Sequence, residues 1–212
     1  MPQPTPRKSD KPVFWIIAGP NGSGKSSLYN HTDIEGWGGS VWIINPDLLT
    51  ATITEQEIGA TNPNLAAVER IEQWLDASIQ VYQTIGVETV LSSGKYRRLV
   101  EKAHDHGFLV RMIYVVLKSA ELQIKRVAIR VSEGGHAVPE EKIRSRRQRS
   151  FEQLTWFVKT VDQCLIYDNS LGEPELIADT FGGTLVSWNP LPDDMQRAFD
   201  AADIFVYRGW ET

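Results

Sequence analysis

Val13-Phe14-Trp15-Ile16-Ile17-Ala18-Gly19-Pro20-Asn21-Gly22-Ser23-Gly24-Lys25-Ser26 is the stretch on which the fold turns. Its first six residues are an unbroken apolar run, the mark of a strand buried on both faces, as in a parallel sheet. The next eight match G-x-x-x-x-G-K-[ST] in full. Glycines let the backbone curl around a phosphate with its N–H groups inward, and a helix opening near Gly24 aims its positive end at the same oxygens. Lys25 is spaced to reach the β- and γ-phosphates of a nucleotide, and the Ser26 hydroxyl to ligate Mg²⁺. The expected nucleotide-binding residues are therefore Gly19, Pro20, Asn21, Gly22, Ser23, Gly24, Lys25, Ser26 and Ser27, with Lys25 facing solvent when no ligand is bound. A glycine-rich turn without a ligand is the competing reading. The strand before the loop and the helix after it argue for the phosphate loop.

Working outward, further apolar runs alternate with amphipathic stretches. Strands are expected at 41–44, 87–91, 108–117 and 164–167, with a sixth at 184–187. Residues 64–85 carry Val68, Ile71, Leu75, Ile79 and Tyr82 three or four apart, the stripe of a helix, which Gly86 is expected to stop. Helices are expected at 95–106, at 120–132 and from 139 to about 161. Strand–helix alternation predicts βαβ units and an α/β P-loop NTPase fold. Its open, mostly parallel sheet has five or six strands flanked by helices, with an Arg-rich helical lid at about 119–150. Residues 1–12 read as a disordered tail, 13–188 as the P-loop domain and 189–212 as an extension without an assigned role, carrying one helix near 194–201.

At 212 residues, 42% hydrophobic and 23% charged, the chain suits one packed domain. A net charge of −5 argues against a generally basic nucleic-acid binder. The single cysteine, Cys164, excludes an internal disulfide framework and fits a reducing cytosol. No apolar run reaches the roughly 18 residues of a membrane span, and the first ten residues lack the apolar stretch of a signal peptide. A cytoplasmic protein bound to neither membrane nor nucleic acid is expected.

Between Lys125 and Arg149, eight basic residues face three acidic ones. Such a cluster on an acidic protein points to a small anionic ligand, or to two solvated helix faces. Arg126 and Arg130 are four apart, and Arg146 and Arg149 three apart, so each pair shares a helix face. Gly134-Gly135 hinges the two helices. Closed over a transferring phosphate, Arg130 and Arg146 would neutralise transition-state charge, and His136 beside the hinge is placed to contact a phosphate or sugar hydroxyl. Ligands of open α/β sheets lie beyond the carboxyl ends of the strands. Asp47, Ser92 and Ser93 are expected there. Asp47 reads as a base, a Mg²⁺ holder or a helix N-cap. Glu88, expected at the start of the third strand, reads as a substrate or metal-water contact or as the partner of a core arginine. His31, His104 and His106 show no metal spacing. There is no N-K-x-D motif for guanine and no strand ending in Asp-Glu.

Five segments in order resemble the zeta toxin family of P-loop kinases. They are Ala18–Ser26, Asn45-Pro46-Asp47, Glu88-Thr89-Val90-Leu91-Ser92-Ser93, Arg126–Val131 with Gly134–Pro139, and Arg146-Arg147-Gln148-Arg149-Ser150; Tyr167–Ser170 fits the end of the domain. The resemblance spans about residues 13–170. It implies ATP- and Mg²⁺-dependent phosphorylation of a small-molecule hydroxyl, UDP-N-acetylglucosamine in characterised members, and a small antitoxin as protein partner. It further implies that Lys25 and Ser26 serve the phosphates and metal, with Asp47 as catalytic base. Glu88 becomes a substrate-contacting acid among Thr89, Ser92 and Ser93, and Arg130 a γ-phosphate-facing arginine. His136 stands where the peptidoglycan-sugar kinases carry a second arginine, and Arg147 where tyrosine is frequent.

Overall fold

The structure, a computed structural model, describes residues 11–31, 41–46, 49–50, 52, 63–135, 137–181 and 183–209. Asp47 and His136, the expected tail at 1–10 and the last three residues lie outside the described residues. The elements in chain order are β1 (Val13–Ala18), α1 (Lys25–His31), β2 (Ile43–Ile44), α2 (Pro63–Gln80), β3 (Ile85–Thr89), α3 (Arg97–Asp105) and β4 (Leu109–Val116). After these come α4 (Ala120–Ser132), α5 (Glu140–Thr160), β5 (Gln163–Asp168), β6 (Glu175–Phe181), β7 (Thr184–Ser187), α6 (Asp193–Ala201) and β8 (Val206–Arg208).

They form one sheet in the order β2-β3-β1-β4-β5-β6-β7-β8. The first five strands of that order run parallel. β6 is antiparallel to both neighbours, and β7 pairs in parallel with β8. This is the open, mostly parallel P-loop sheet that the alternation predicts, extended to eight strands rather than five or six. β6 escapes the pattern because Glu175 and Asp179 interrupt its apolar run. β8 has only three residues.

β1 shows why its sequence is apolar throughout. Phe14, Ile16 and Ala18 join the cluster built with Ile71, Leu75 and Ile79 of α2, Leu99 of α3, and Phe151 and Leu154 of α5. Val13, Trp15 and Ile17 point the other way, toward Leu28 of α1 and Ile113 and Val115 of β4. With both faces covered, no polar position is tolerated. Met195 and Phe199 of α6 are fully buried in the first cluster, so the stretch left without a role is part of this core.

The third strand differs from expectation in a way that moves a functional residue. α2 stops at Gln80, and Tyr82 reverses the chain at φ 60°. The strand therefore begins at Ile85, with Gly86 inside it opposite Trp15 rather than stopping a helix. It ends at Thr89, which carries Glu88 from the strand's start to its carboxyl end. No helix among the described residues is long and apolar enough to cross a membrane.

Candidate active site

The phosphate loop leaves the carboxyl end of β1 and enters α1. Gly19 has φ +143° and Gly24 φ +91°. A Cβ at Gly19 would fall on the Val115 carbonyl oxygen, and one at Gly24 on the Asn169 amide. Both positions therefore exclude every other residue, on conformation and on space. Ser23 donates its N–H to Pro20 O at 3.3 Å, and its own buried Oγ has no hydrogen-bond partner among the described residues.

Lys25 is not solvent-facing. It is 7% exposed, and Nζ donates to Gly19 O at 2.9 Å and Pro20 O at 3.3 Å, with Glu88 Oε1 at 3.9 Å. The ammonium is desolvated, and a buried cation requires such partners. Glu88 is equally enclosed, at 9% exposure. Its Oε2 accepts from Ser26 Oγ at 2.8 Å and from Asn45 Nδ2 at 3.0 Å. Two adjacent parallel strands and the loop thus bring Lys25, Ser26, Asn45 and Glu88 into one charged knot. Of the roles considered for Glu88, the described residues show a contact with the Lys25 ammonium.

Beyond β3 the chain turns. Thr89 Oγ1 accepts the Leu91 N–H at 3.0 Å, and Leu91 sits at φ 57°. A buried non-glycine residue in the left-handed region marks a constrained corner. Ser92 follows half-buried and Ser93 exposed at this edge. Val90 O accepts from the buried Ser150 Oγ at 2.8 Å, tying the corner to α5.

The basic cluster of α4 and α5 divides into separate roles. Arg126 NH2 donates to Asn169 O at 2.7 Å and Ser170 O at 3.4 Å. It therefore fastens α4 to the exit of β5. Arg130 is half-buried, against Gly135 of the interhelix turn. Arg144 is exposed and paired with Glu121 at 2.7 Å, which brings that carboxylate down to about 2. Arg146 NH1 reaches Asn21 Oδ1 of the phosphate loop at 3.5 Å, whereas Arg149 on the expected common face is exposed. Arg147 is 1% exposed and is held by three hydrogen bonds. It donates from Nε to Asp194 Oδ2 at 2.5 Å, from NH2 to Asp194 Oδ1 at 2.9 Å and from NH1 to Gln123 Oε1 at 2.8 Å. Its guanidinium also lies 4.7 Å from the Phe151 ring centroid. Neither two solvated faces nor a uniform anion trap describes the cluster.

Three polar residues outside the expected set also support the site, two of them by holding the loop. Asn45 binds Glu88, and Asn169 Nδ2 donates to Ser23 O at 2.9 Å. Gln123, fully buried, donates to Asn21 O at 2.9 Å. Asn45 and Asn169 stand inside short polar strings at strand ends, a signal the sequence did offer. Gln123 carries none, because a lone glutamine on a helix looks like surface. Among the described residues no group of three His, Cys, Asp or Glu could hold a metal ion. Cys164 is buried in the core, which pushes its thiol pKa up and makes it inert.

An uncharacterised protein of Haemophilus influenzae is 28% identical over 142 residues, 65% of this chain and 92% of its own length. A chain of the AvrRxo1-ORF1:AvrRxo1-ORF2 complex, crystallised with sulphate ions, superposes with a TM-score of 0.63 at 16% identity. That match covers 92% of this chain, which spans only 65% of the other's length. A chain of the PezAT chromosomal toxin-antitoxin system of Streptococcus pneumoniae gives 0.63 at 12% identity, covering 93% of this chain and 86% of its own. At such identities the likeness is one of fold. Residues 14–154 match the AAA domain family. That stretch runs from β1 through the phosphate loop into α5, and by its extent the chain belongs to the AAA domain family.

Proposed function

We propose that this protein is an ATP-dependent kinase of the zeta toxin type, transferring the γ-phosphate to a hydroxyl of a small anionic molecule, with UDP-N-acetylglucosamine as the leading acceptor. The observation that carries the reading is the gathering of Lys25, Ser26, Asn45 and Glu88 at the carboxyl edges of β1, β2 and β3, against a loop in which Gly19 and Gly24 admit no Cβ. The residues fit a nucleotide and its metal. The Lys25 ammonium is already desolvated beside the loop, Ser23 Oγ is buried and unsatisfied, and a hydroxyl and a carboxylate meet at Ser26 and Glu88. Oxygen donors of this kind suit Mg²⁺, which when bound supplies charge neutralisation at the phosphates.

The chain's own residues divide the remaining work. Lys25 exchanges its loop carbonyls for phosphate oxygens. Arg146, beside Asn21, and Arg130, on the neighbouring helix, form with α4 and α5 a lid that stabilises charge developing on the transferred group. Asp47 takes the proton of the acceptor hydroxyl, and Thr89, Ser92, Ser93 and His136 contact the acceptor. A small antitoxin is the proposed protein partner and the cytoplasm the proposed location; the fold likeness to the pneumococcal system supports the first. The test is mass spectrometry of a metabolite extract incubated with protein, ATP and Mg²⁺. Species gaining one phosphate are expected, a nucleotide sugar foremost. No such species, with nucleotide still bound, would replace the kinase by an ATP-binding regulator.

A further inference from the structure

The phosphate loop is tied to α6 by a chain of hydrogen bonds whose two middle links, Gln123 and Arg147, are buried. Asp194, in the first turn of α6, accepts two bonds from Arg147 of α5. Arg147 passes its third to Gln123 Oε1 of α4, and Gln123 Nε2 donates to Asn21 O of the loop. Gln123 and Arg147 are 0% and 1% exposed. Neither can exchange its partner for water, so loss of one link leaves the next group unsatisfied. An arginine forked onto a carboxylate fixes direction as well as distance. The side chain on which this register rests therefore belongs to α6. That helix lies beyond residues 14–154, the stretch matching the family.

We propose that Asp194 is a positioning residue for the phosphate loop, acting through Arg147 and Gln123 on Asn21. Asn21 is held twice, by Gln123 on its carbonyl and by Arg146 on its side chain, and Arg146 precedes Arg147 on the same helix. Setting Arg147 against Asp194 fixes the Gln123 bond, at 2.9 Å the shorter of the two; the Arg146 contact, at 3.5 Å, is the longer. The inference rests on the reading of the loop as a nucleotide site, but its structural half can be read without nucleotide.

The experiment is hydrogen–deuterium exchange of the full chain, alongside MgATP titration by calorimetry. Asp194→Ala and Gln123→Leu should each speed exchange in residues 19–26 and weaken MgATP binding, both by about tenfold, the scale of one hydrogen bond to a charged or buried group. The double variant should add little, because both cut one chain. Asp194→Asn, which keeps an acceptor, should fall between and serves if the alanine variant fails to fold. Asp193→Ala removes the same charge from the same helix turn at an exposed position and should leave the loop unchanged. The proposal fails if Asp194→Ala and Asp194→Asn lower the melting temperature while loop exchange and MgATP affinity stay at wild-type values. It fails equally if exchange rises by one factor across β1, β4 and the loop alike. A wild-type protein that does not bind MgATP would sink the nucleotide reading and leave loop exchange to decide the relay.

Discussion

The phosphate loop and the basic helices α4 and α5 lie against each other, yet their residues are constrained in opposite ways. In the loop, function resides in backbone shape. Gly19 and Gly24 are compulsory because a Cβ would enter the Val115 carbonyl or the Asn169 amide. In the helices, function depends on what each arginine meets from elsewhere in the chain. Arg144 meets Glu121, Arg126 meets the carbonyls of Asn169 and Ser170, Arg147 meets Asp194, and Arg146 meets the loop itself. Residue identity fixes the role in the first region, and tertiary partnership fixes it in the second.

The largest expected effect lies in the loop. Lys25→Ala should lower phosphate transfer by at least about 10³-fold, since no other described group stands at the loop carbonyls to replace the ammonium. The substitution also removes the ammonium that faces the buried Glu88, which accepts from Ser26 and Asn45. Some loss of stability should therefore accompany the lost activity. Metabolite phosphorylation by a folded Lys25→Ala protein at the wild-type rate would remove the loop from catalysis.

Arg147→Ala comes next; besides loosening the loop that it holds through Gln123, it should act strongly on stability. It removes a buried guanidinium, strands Gln123 Oε1 and opens a cavity beside Phe151. Asp194 is partly exposed and can rehydrate, so the cost is put at about 3 kcal/mol, the low end for breaking a buried pair. For a domain of this size that is a fall in Tm of about 6–12 °C. Arg144→Ala, which cuts a solvent-exposed pair, should leave Tm unchanged. Equal shifts in calorimetry for the two would erase the distinction between them.

Arg146 and Arg149 sharpen the comparison within one helix face. Helical spacing puts them together, but only Arg146 is half-buried against Asn21. Arg146→Ala should lower turnover by about 10²-fold with little change in MgATP affinity, as for a donor acting mainly in the transition state. Arg149→Ala should change turnover less than about twofold, and that little should fade with salt. Steady-state kinetics giving two small, equally salt-sensitive losses would return both residues to a diffuse cationic surface.

The same contrast explains what the sequence made legible. β1, α4 and β7 fall at the expected residues because an unbroken apolar run, a capped helix and a short alternating strand are local signals. Glu88 was visible as an acid worth a role, but its place at the end of β3 depends on where α2 stops and on Tyr82 adopting φ 60°. Arg147 could not be told from its neighbours, because the carboxylate that buries it arrives 47 residues later. Gln123 was silent for the same reason. Backbone-dictated chemistry is written locally, and partner-dictated chemistry is not.

The smallest effect is set by Asp179, at the edge where the sheet changes direction. Burial raises its carboxyl pKa above the usual value, only partly countered by bonds from Gln163 and the Thr180 N–H and by the charge of Arg111. The folded state therefore holds this proton more tightly than the unfolded chain does. Its contribution is most favourable below the unfolded pKa, near 4, and is lost as pH rises through the higher folded value. Above the unfolded value, the raised pKa therefore counts against folding. Asp179→Asn keeps an acceptor for the Thr180 N–H, and a flip of the Gln163 amide restores the second bond. The substitution should raise Tm at pH 7 by no more than about 2–4 °C, and the gain should vanish as pH falls below about 4. Melting curves across that range decide it. A variant less stable than wild type at pH 7 would mean that the ionised carboxylate and Arg111 together outweigh the burial, and that this edge, like α5, draws its stability from a partner.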